Sequence, residues 1–98
     1  MSGPDNRLLS PEECTAAISE MLGWSIHRGR LNKIFEFDDF PQAIAFMTRV
    51  GYDAERICHH PNWKNVYNRV EVELWSHDLG GVSSLCVELA KVMDKYAV

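Results

Sequence analysis

Three of the four histidines in this chain lie in one stretch, where the sequence concentrates its capacity for proton transfer. His59 and His60 are adjacent, Pro61 follows them, and His77 comes later in the same stretch. Glu55 precedes His59 by one helical turn. An imidazole has an unperturbed pKa of about 6.5, so it can give or take a proton near neutral pH. The pattern therefore indicates general acid–base catalysis.

Two local patterns explain how distant histidines can meet. The ring of Pro61 disfavours helical geometry at the preceding residue, so the His59-His60 pair is expected in a loop. Residues 66 to 75 are rich in β-branched and aromatic side chains, which predicts a strand that His77 ends. Alternation along that strand sends Val70, Val72 and Leu74 to one face. The other face receives Arg69, Glu71, Glu73, Trp75 and His77.

The first half of the chain predicts a helix and a hairpin. Ser10-Pro11-Glu12-Glu13 has the form of a capping box with proline at the first helical position. The helix is expected to end at Gly23, with an apolar stripe of Ala16, Ala17, Met21 and Leu22. Residues 24–27 and 31–37 predict two strands around a turn at 28–30.

The second helix is expected to begin at an Asp39 cap, with Gln42 in its first turn, and to run to about residue 57. Its first part is apolar all round, more than one core-facing stripe requires. We expect Ile44, Met47 and Val50 to face the sheet, and the opposite side to carry Phe40, Ala43 and Phe46. That surplus predicts an oligomer interface, and a deeply buried helix is the alternative.

The second half predicts a short strand at 63–66, a turn at 67–68, a strand to residue 76 and a last helix. Ser83 or Ser84 can cap that helix, in which Leu85, Leu89, Val92 and Tyr96 recur at helical spacing. The order is α-β-β-α-β-β-α. We therefore expect an α+β fold, with a four-stranded, mainly antiparallel sheet and three helices on one face. Residues 1–98 form one domain, of which 1–7 are expected to be flexible.

Composition narrows the partners and the compartment. A net charge of −4 argues against nucleic acid as the main partner, since phosphate binding needs a basic face. No apolar run approaches the roughly 18 residues of a membrane span, and the N-terminus lacks the apolar core of a signal peptide. Three widely spaced cysteines fit a reducing compartment, so we expect a cytoplasmic protein.

Two other chemistries compete for the same residues. Cys58, His59, His60 and His77 are possible zinc ligands, but adjacent residues in extended chain point to opposite sides, and no His-x-x-x-His or Cys-x-x-Cys spacing is present. Cys58 or Cys86 could also act as a nucleophile if a histidine made it a thiolate. Cys86 falls on the apolar side of the last predicted helix, which favours a place in the core.

A longer set of residues matches a known family. Around the histidines the set is Glu55, His59-His60-Pro61, Trp63, Asn65-Val66-Tyr67-Asn68 and Ser76-His77. Elsewhere it comprises Gly23-Trp24, Phe46-Met47-Thr48-Arg49-Val50, Gly81-Val82-Ser83 and Leu89-Ala90. From about residue 8 to its end, the chain resembles the pterin-4a-carbinolamine dehydratases. The resemblance implies the same fold, and a homodimer or homotetramer in which the second helix packs between dimers.

The resemblance also implies a reaction. Its substrate would be a 4a-hydroxytetrahydropterin, left when an aromatic amino-acid hydroxylase uses its pterin cofactor, and loss of water would give the quinonoid dihydropterin. No cofactor and no metal would be needed. His59 and His77 would be the acid–base residues, and His60 would hold the pterin. The implied pocket lining is Pro61, Ser76, Asp78 and Leu79. From the residues themselves, Glu55 could fix the tautomer of a neighbouring histidine, and Trp63 could wall the flat ring.

One position departs from the family pattern, which has an aspartate early in the last helix where this chain has Cys86. A neutral thiol stabilises an imidazolium less than a carboxylate does, so we expect low activity, with the alkaline limb of the pH–rate profile at lower pH than in relatives that have the aspartate. Two alternatives follow: a pterin-binding protein without turnover, or an interaction protein. Animal members of the family serve as dimerisation partners of a hepatic transcription factor through the second helix.

Overall fold

The structure is a computed structural model that describes residues 5–97, and it confirms the predicted order of elements. The elements are α1 (Pro11–Ser19), β1 (Ser25–His27), β2 (Arg30–Glu36), α2 (Phe40–Arg56), β3 (Asn62–Val66), β4 (Arg69–Leu74) and α3 (Ser84–Tyr96). Of the N-terminal stretch expected to be flexible, residues 1–4 lie outside the described residues. Asn6 and Arg7 hydrogen-bond to the start of α3.

The four strands form one antiparallel sheet in the order β1-β2-β4-β3. The predicted α+β class, with helices covering one face, is therefore confirmed. Its side chains alternate as expected. The covered face contributes Leu31, Phe35, Val70, Val72 and Leu74, all buried. The other face carries mostly exposed residues, including Ile34, Glu36, Arg69 and Glu71. Pairing of β3 with β4 matches Asn62 with Glu73, so the start of one strand lies beside the end of the other.

The caps of α1 and α2 are as the sequence predicts, whereas Ser83 stands at the start of α3 without its hydroxyl capping that helix. The Ser10 hydroxyl accepts from the Glu13 amide, and the Glu13 carboxylate accepts from the Ser10 amide, which completes the capping box of α1. The Asp39 carboxylate accepts from the Gln42 amide at the start of α2. Either cap satisfies backbone donors that the first helical turn leaves without partners.

Two predicted boundaries are wrong. α1 ends at Ser19, because the chain leaves the helix in a turn that places Met21 in the core and leaves Leu22 89% exposed. The expected stripe is right only in part, since Ala17 packs against the core and Met21 is buried, whereas Ala16 and Leu22 are exposed. β4 ends at Leu74, and Ser76 pairs only with Gly81 through an isolated bridge, so His77 lies in a turn just beyond the strand.

The predicted faces of α2 are wrong in part: Val50 is buried as expected, but Ile44, Ala43 and Phe46 lie on the sides opposite to those predicted. Its buried residues are Ala43, Phe46, Val50 and Ala54, which recur at the three- and four-residue spacing of one helical stripe. Ile44, expected to face the sheet, is 40% exposed. Phe46, expected to face away, has its ring centroid 4.9 Å from that of Phe35 in the sheet. Two aromatic side chains meeting across the layer set the rotation of the helix.

We expect Phe46→Ala to destabilise the subunit by about 3–5 kcal/mol, because it removes a buried ring and leaves a cavity. Tyr52→Ala on the same helix removes an aromatic side chain that is 78% exposed, and its cost should be about 0.5 kcal/mol or less. Urea denaturation followed by circular dichroism measures both. Equal losses of stability in the two variants would contradict this assignment of the buried face.

Candidate active site

The three clustered histidines line one pocket of about 410 Å³ at the joined ends of β3 and β4. Its complete lining is Asn6, Cys58, His59, His60, Pro61, Asn62, Glu73, Trp75, Ser76, His77 and Asp78. A larger hollow of about 700 Å³ lies over the sheet, but no histidine or cysteine lines it. Volume alone would favour the hollow as the active site, whereas the side chains of the lining favour the pocket. We regard the pocket as the candidate active site, since only its lining offers groups that exchange protons near neutral pH.

The end of α2 directs His59 and His60 into this pocket. Ile57 caps the helix, and Cys58 then adopts a left-handed backbone with φ of +55°, uncommon for a residue other than glycine. The His59 amide still donates to the Ala54 carbonyl at 3.0 Å, which keeps the turn tight. Beyond it Pro61 leads the chain into β3. The two histidines are thus presented by a sharp, hydrogen-bonded turn.

His59 is buried, and its partner is a thiol. Its Nε2 lies 3.2 Å from Sγ of Cys86, which in turn lies 3.3 Å from Oγ of Ser83 at the start of α3. Burial lowers the pKa of His59, and electrostatic repulsion from the neighbouring imidazole of His60 acts in the same direction. Burial also raises the pKa of Cys86, against the hydrogen bonds from Ser83. Both groups are therefore neutral at pH 7.

His60 is exposed and has a carboxylate partner. Its Nε2 lies 2.8 Å from Oε1 of Glu55, one turn back on α2. A carboxylate accepts, so this contact places a proton on Nε2 of His60 and leaves Nδ1 unprotonated in the neutral ring. The predicted tautomer-fixing role of Glu55 has this geometry. Glu55 itself points at His60 from outside the pocket lining.

His77 lies in the turn after β4, and its neighbour is an aromatic ring. The imidazole and the indole of Trp75 have centroids 4.4 Å apart at an interplanar angle of 46°. The adjoining turn is closed by Ser76, whose hydroxyl accepts from the Leu79 amide at 3.2 Å. Asp78 follows directly on the pocket side.

The structure brings most of the predicted site residues together. His59, His60 and His77 share the pocket with Pro61, Ser76 and Asp78, whereas Glu55, Trp63 and Leu79 are outside its lining. Trp63 pairs with Val72 in the sheet and packs against the core instead. Alternation in β3 could have shown this, because it places Trp63 on the same face as Val72.

Sequence reasoning missed four residues that line the pocket: Asn6, Asn62, Glu73 and Trp75. Cys58, which was considered only as a zinc ligand or a nucleophile, lines it too. For two of the four missed residues a signal existed. Glu73 and Trp75 share the strand face that was predicted to lead to His77, so alternation alone indicates that they lie near it. For Asn6 no local pattern gives a clue, because its position depends on contacts with the distant start of α3.

The chemistry available here is proton transfer between imidazoles and a substrate. The pocket offers one buried neutral imidazole and two exposed ones within the reach of a single small molecule. Across residues 5–97, no three side chains of histidine, cysteine, aspartate or glutamate converge as metal ligands would. The nucleophile alternative at Cys86 loses support, because burial favours its protonated thiol.

Comparison with known proteins places the fold and pocket in a family. The family model described as pterin 4 alpha carbinolamine dehydratase matches residues 7–96. A protein of Synechococcus sp. (strain WH7803) is 49% identical over 87 residues, which span 89% of this chain and 94% of that protein. One from Bradyrhizobium sp. (strain BTAi1 / ATCC BAA-1182) is 50% identical over 91 residues, or 91% and 92% of the two chains. Both carry the provisional name pterin-4-alpha-carbinolamine dehydratase.

A solved structure agrees. The crystal structure of a transcriptional coactivator/pterin dehydratase from Brucella melitensis superposes with a TM-score of 0.91 at 34% identity, and covers 94% of this chain and 100% of its own. The chain belongs to the pterin 4 alpha carbinolamine dehydratase family. Within its described residues, no helix combines the length and the apolar character that crossing a membrane requires.

We expect His59 to titrate below the ordinary histidine pKa of about 6.5, because burial disfavours its imidazolium. Between the two pKa values the unfolded chain binds more protons than the folded one. Stability should therefore be complete above about pH 6.5 and should fall as the pH drops through the folded pKa. NMR titration of the imidazole protons and denaturation at several pH values measure the two effects. If His59→Gln loses stability over the same pH range as the unaltered chain, another group is responsible.

Proposed function

We propose that this chain dehydrates 4a-hydroxytetrahydropterins to quinonoid dihydropterins, and so recycles the pterin cofactor of aromatic amino-acid hydroxylases. The observation that carries the proposal is the convergence of three histidines on one pocket, in a chain of the pterin 4 alpha carbinolamine dehydratase family. The free cysteines Cys14, Cys58 and Cys86 fit a cytoplasmic setting, where thiols stay reduced.

The reaction needs one proton given and one proton taken. The bond between C4a and its hydroxyl oxygen breaks, and an acid protonates the oxygen so that it leaves as water. A base removes the proton from N5, and the electron pair of the N5–H bond forms the new double bond between N5 and C4a. No electron is exchanged with another molecule, so the balance requires only two titratable groups. A well-placed acid or base contributes roughly 10²- to 10⁴-fold.

We assign the base to His59 and the acid to His77. The lowered pKa of His59 keeps its ring neutral at pH 7, as a base requires. Because its Nε2 faces Cys86, Nδ1 is the nitrogen left for the substrate. His77 is exposed in the same pocket lining, on a separate segment of chain, and we assign to it the proton for the departing hydroxyl. Tethered by Glu55, His60 is suited to hold the pterin.

Cys86 leaves the tautomer of His59 open. If the thiol accepts a proton from Nε2, then Nδ1 carries a lone pair and can act as a base. If Ser83 donates to Sγ and the thiol donates to Nε2, then Nδ1 carries the proton and cannot. A carboxylate at this position can only accept, so it would enforce the first arrangement. The thiol therefore provides a weaker basis for catalysis than the aspartate of the family pattern.

We expect His59→Ala and His77→Ala each to lower turnover by roughly tenfold or more, since either removes one proton-transfer group. His60→Ala should mainly raise KM. The measurement is dehydration of freshly generated carbinolamine, followed by its change in absorbance. The proposal fails if the unaltered chain does not accelerate dehydration, and the assignment of acid and base fails if the double variant at 59 and 77 keeps the full rate.

We expect Cys86→Asp to raise turnover and to raise the pKa of His59, because a carboxylate stabilises the imidazolium and fixes the proton on Nε2. A base with a raised pKa is protonated at higher pH, so the acid limb of the pH–rate profile should move upward. This differs from the shift expected from sequence, because His59 is now the base. Cys86→Asn is the matched control: it has the same shape but no charge. An equal gain in both variants would show that charge at this position is not the cause.

Oligomerisation is proposed on the exposed side of α2. Phe40 is 48% exposed and Ile44 is 40% exposed, and both lie on one side of the helix with Gly51, around which a Cβ would meet open space. An apolar stripe beside a glycine suits close packing against a second helix. We expect a homodimer or homotetramer, and Ile44→Glu should lower the mass measured by analytical ultracentrifugation while circular dichroism stays unchanged. A monomer at micromolar concentration in the unaltered chain would remove this proposal.

The same side of α2 supports a second candidate function, as an interaction protein. The Brucella melitensis relative is described as a transcriptional coactivator as well as a pterin dehydratase. A partner protein would compete with self-association for Phe40 and Ile44. Turnover by the histidine variants separates this function from dehydration, because the pocket lies at the other end of α2.

A further inference from the structure

The three pocket histidines are held by three different kinds of partner. His59 contacts a thiol and His60 a carboxylate. Among residues 5–97 no side chain hydrogen-bonds to the imidazole of His77, and its aromatic neighbour is Trp75 at 4.4 Å. An exposed imidazole in a turn rotates freely unless something packs against it. The orientation of His77 therefore depends on Trp75.

Trp75 is itself held in place by an arginine on the neighbouring strand. Its residue follows the last paired position of β4, beside the first residue of β2, Arg30. The guanidinium carbon of Arg30 lies over the indole at 3.8 Å from the ring centroid. A guanidinium within about 6 Å of a tryptophan centroid is attracted by the negative face of the ring. Arg30 thus restricts the indole that His77 contacts.

Arg30 is held in turn by Glu73. Its Nη1 lies 3.2 Å from Oε1 of Glu73, and the same oxygen accepts from the Asn62 side chain at 3.2 Å. Asn62 and Glu73 both line the pocket, so these contacts run along its wall to His77. The order of contacts is Asn62, Glu73, Arg30, Trp75, His77. This series of contacts therefore connects the arginine–tryptophan pair to a histidine of the candidate active site.

We propose that Trp75 is a positioning residue for His77, and that Arg30 keeps the indole in place. The inference rests on the proposed function, in which His77 supplies the acid. Trp75 does not exchange a proton and acts only through the imidazole. Without it the ring of His77 samples orientations in which its N–H points away from the pocket. Turnover then falls, while substrate binding, which depends on the other pocket groups, changes little.

The first test concerns the imidazole alone and needs no turnover. Aromatic ring currents shift the protons of a group packed close to the ring, so the His77 ring protons should have displaced NMR shifts in the unaltered chain. His77→Gln assigns the resonance. Trp75→Leu should return it toward the value of a free histidine, and Trp75→Phe should keep part of the displacement. If the shift in the unaltered chain is already that of a free histidine, the contact does not order the ring and the proposal is overturned.

The second test separates kcat from KM. We expect Trp75→Leu to lower kcat by roughly tenfold, less than the roughly 10²-fold or more that complete loss of one acid costs, with KM changed less than twofold. Trp75→Phe should recover much of the loss. Arg30→Gln should show a smaller loss of kcat, and it guards against misfolding because it alters only a surface side chain. Arg69→Gln is the matched control, an exposed arginine at the far end of β4 on the same sheet face.

The outcomes distinguish this inference from the proposed function. If the unaltered chain has no dehydratase activity, the proposed function fails, and the NMR shifts still decide whether Trp75 orients His77. If the chain is active and Trp75→Leu frees the ring without lowering kcat, orientation of His77 is not required and the positioning role is overturned. If the loss appears in KM alone, Trp75 binds substrate directly, which also overturns it. A loss of kcat that Trp75→Phe repairs supports the proposal.

Discussion

The antiparallel pairing of β3 with β4 is the constraint on which the pocket depends. It matches Asn62 with Glu73, so the loop that enters β3 and the turn that leaves β4 lie side by side at the same end of these two strands. His59 and His60 come from the first segment and His77 from the second. β4 is also paired with β2, so a shift of one residue in this register would turn the side chains of the edge strand β3 to the opposite faces and take Trp63 away from the core. The core therefore enforces the geometry of the site.

Much of the fold follows from local signals. The capping residues of α1 and α2 indicate where each helix begins, because a side-chain acceptor must lie beside the free amides of the first turn. Alternation in β4 assigns Val70, Val72 and Leu74 to the core without knowledge of any partner strand. The convergence of the histidines follows from the same alternation together with the break at Pro61. Where the chemistry of a residue determines its own backbone conformation, the sequence is sufficient to predict the local structure.

The wrong predictions concern contacts between elements. α2 is apolar on several sides, so periodicity alone does not choose its rotation, which depends on Phe46 meeting Phe35 across the layer. Trp63 and Trp75 are the same type of residue, yet Trp63 packs against the core and Trp75 lines the pocket. The contact of Cys86 with His59 joins residues far apart in the chain. Such choices are set by packing, which local patterns do not encode.

The thiol at position 86 shows how the core and the pocket constrain each other. Cys86 is fully buried among core residues, and it also contacts His59 at the pocket. A carboxylate there would lose its hydration, and the imidazolium would have to compensate in a site that already disfavours positive charge. Replacing a buried ion pair by neutral groups is often neutral or stabilising for the fold. A neutral thiol thus suits the core. It leaves the protonation of His59 less firmly determined than a carboxylate would. Stability of the fold and proton transfer therefore place opposite demands on this one residue.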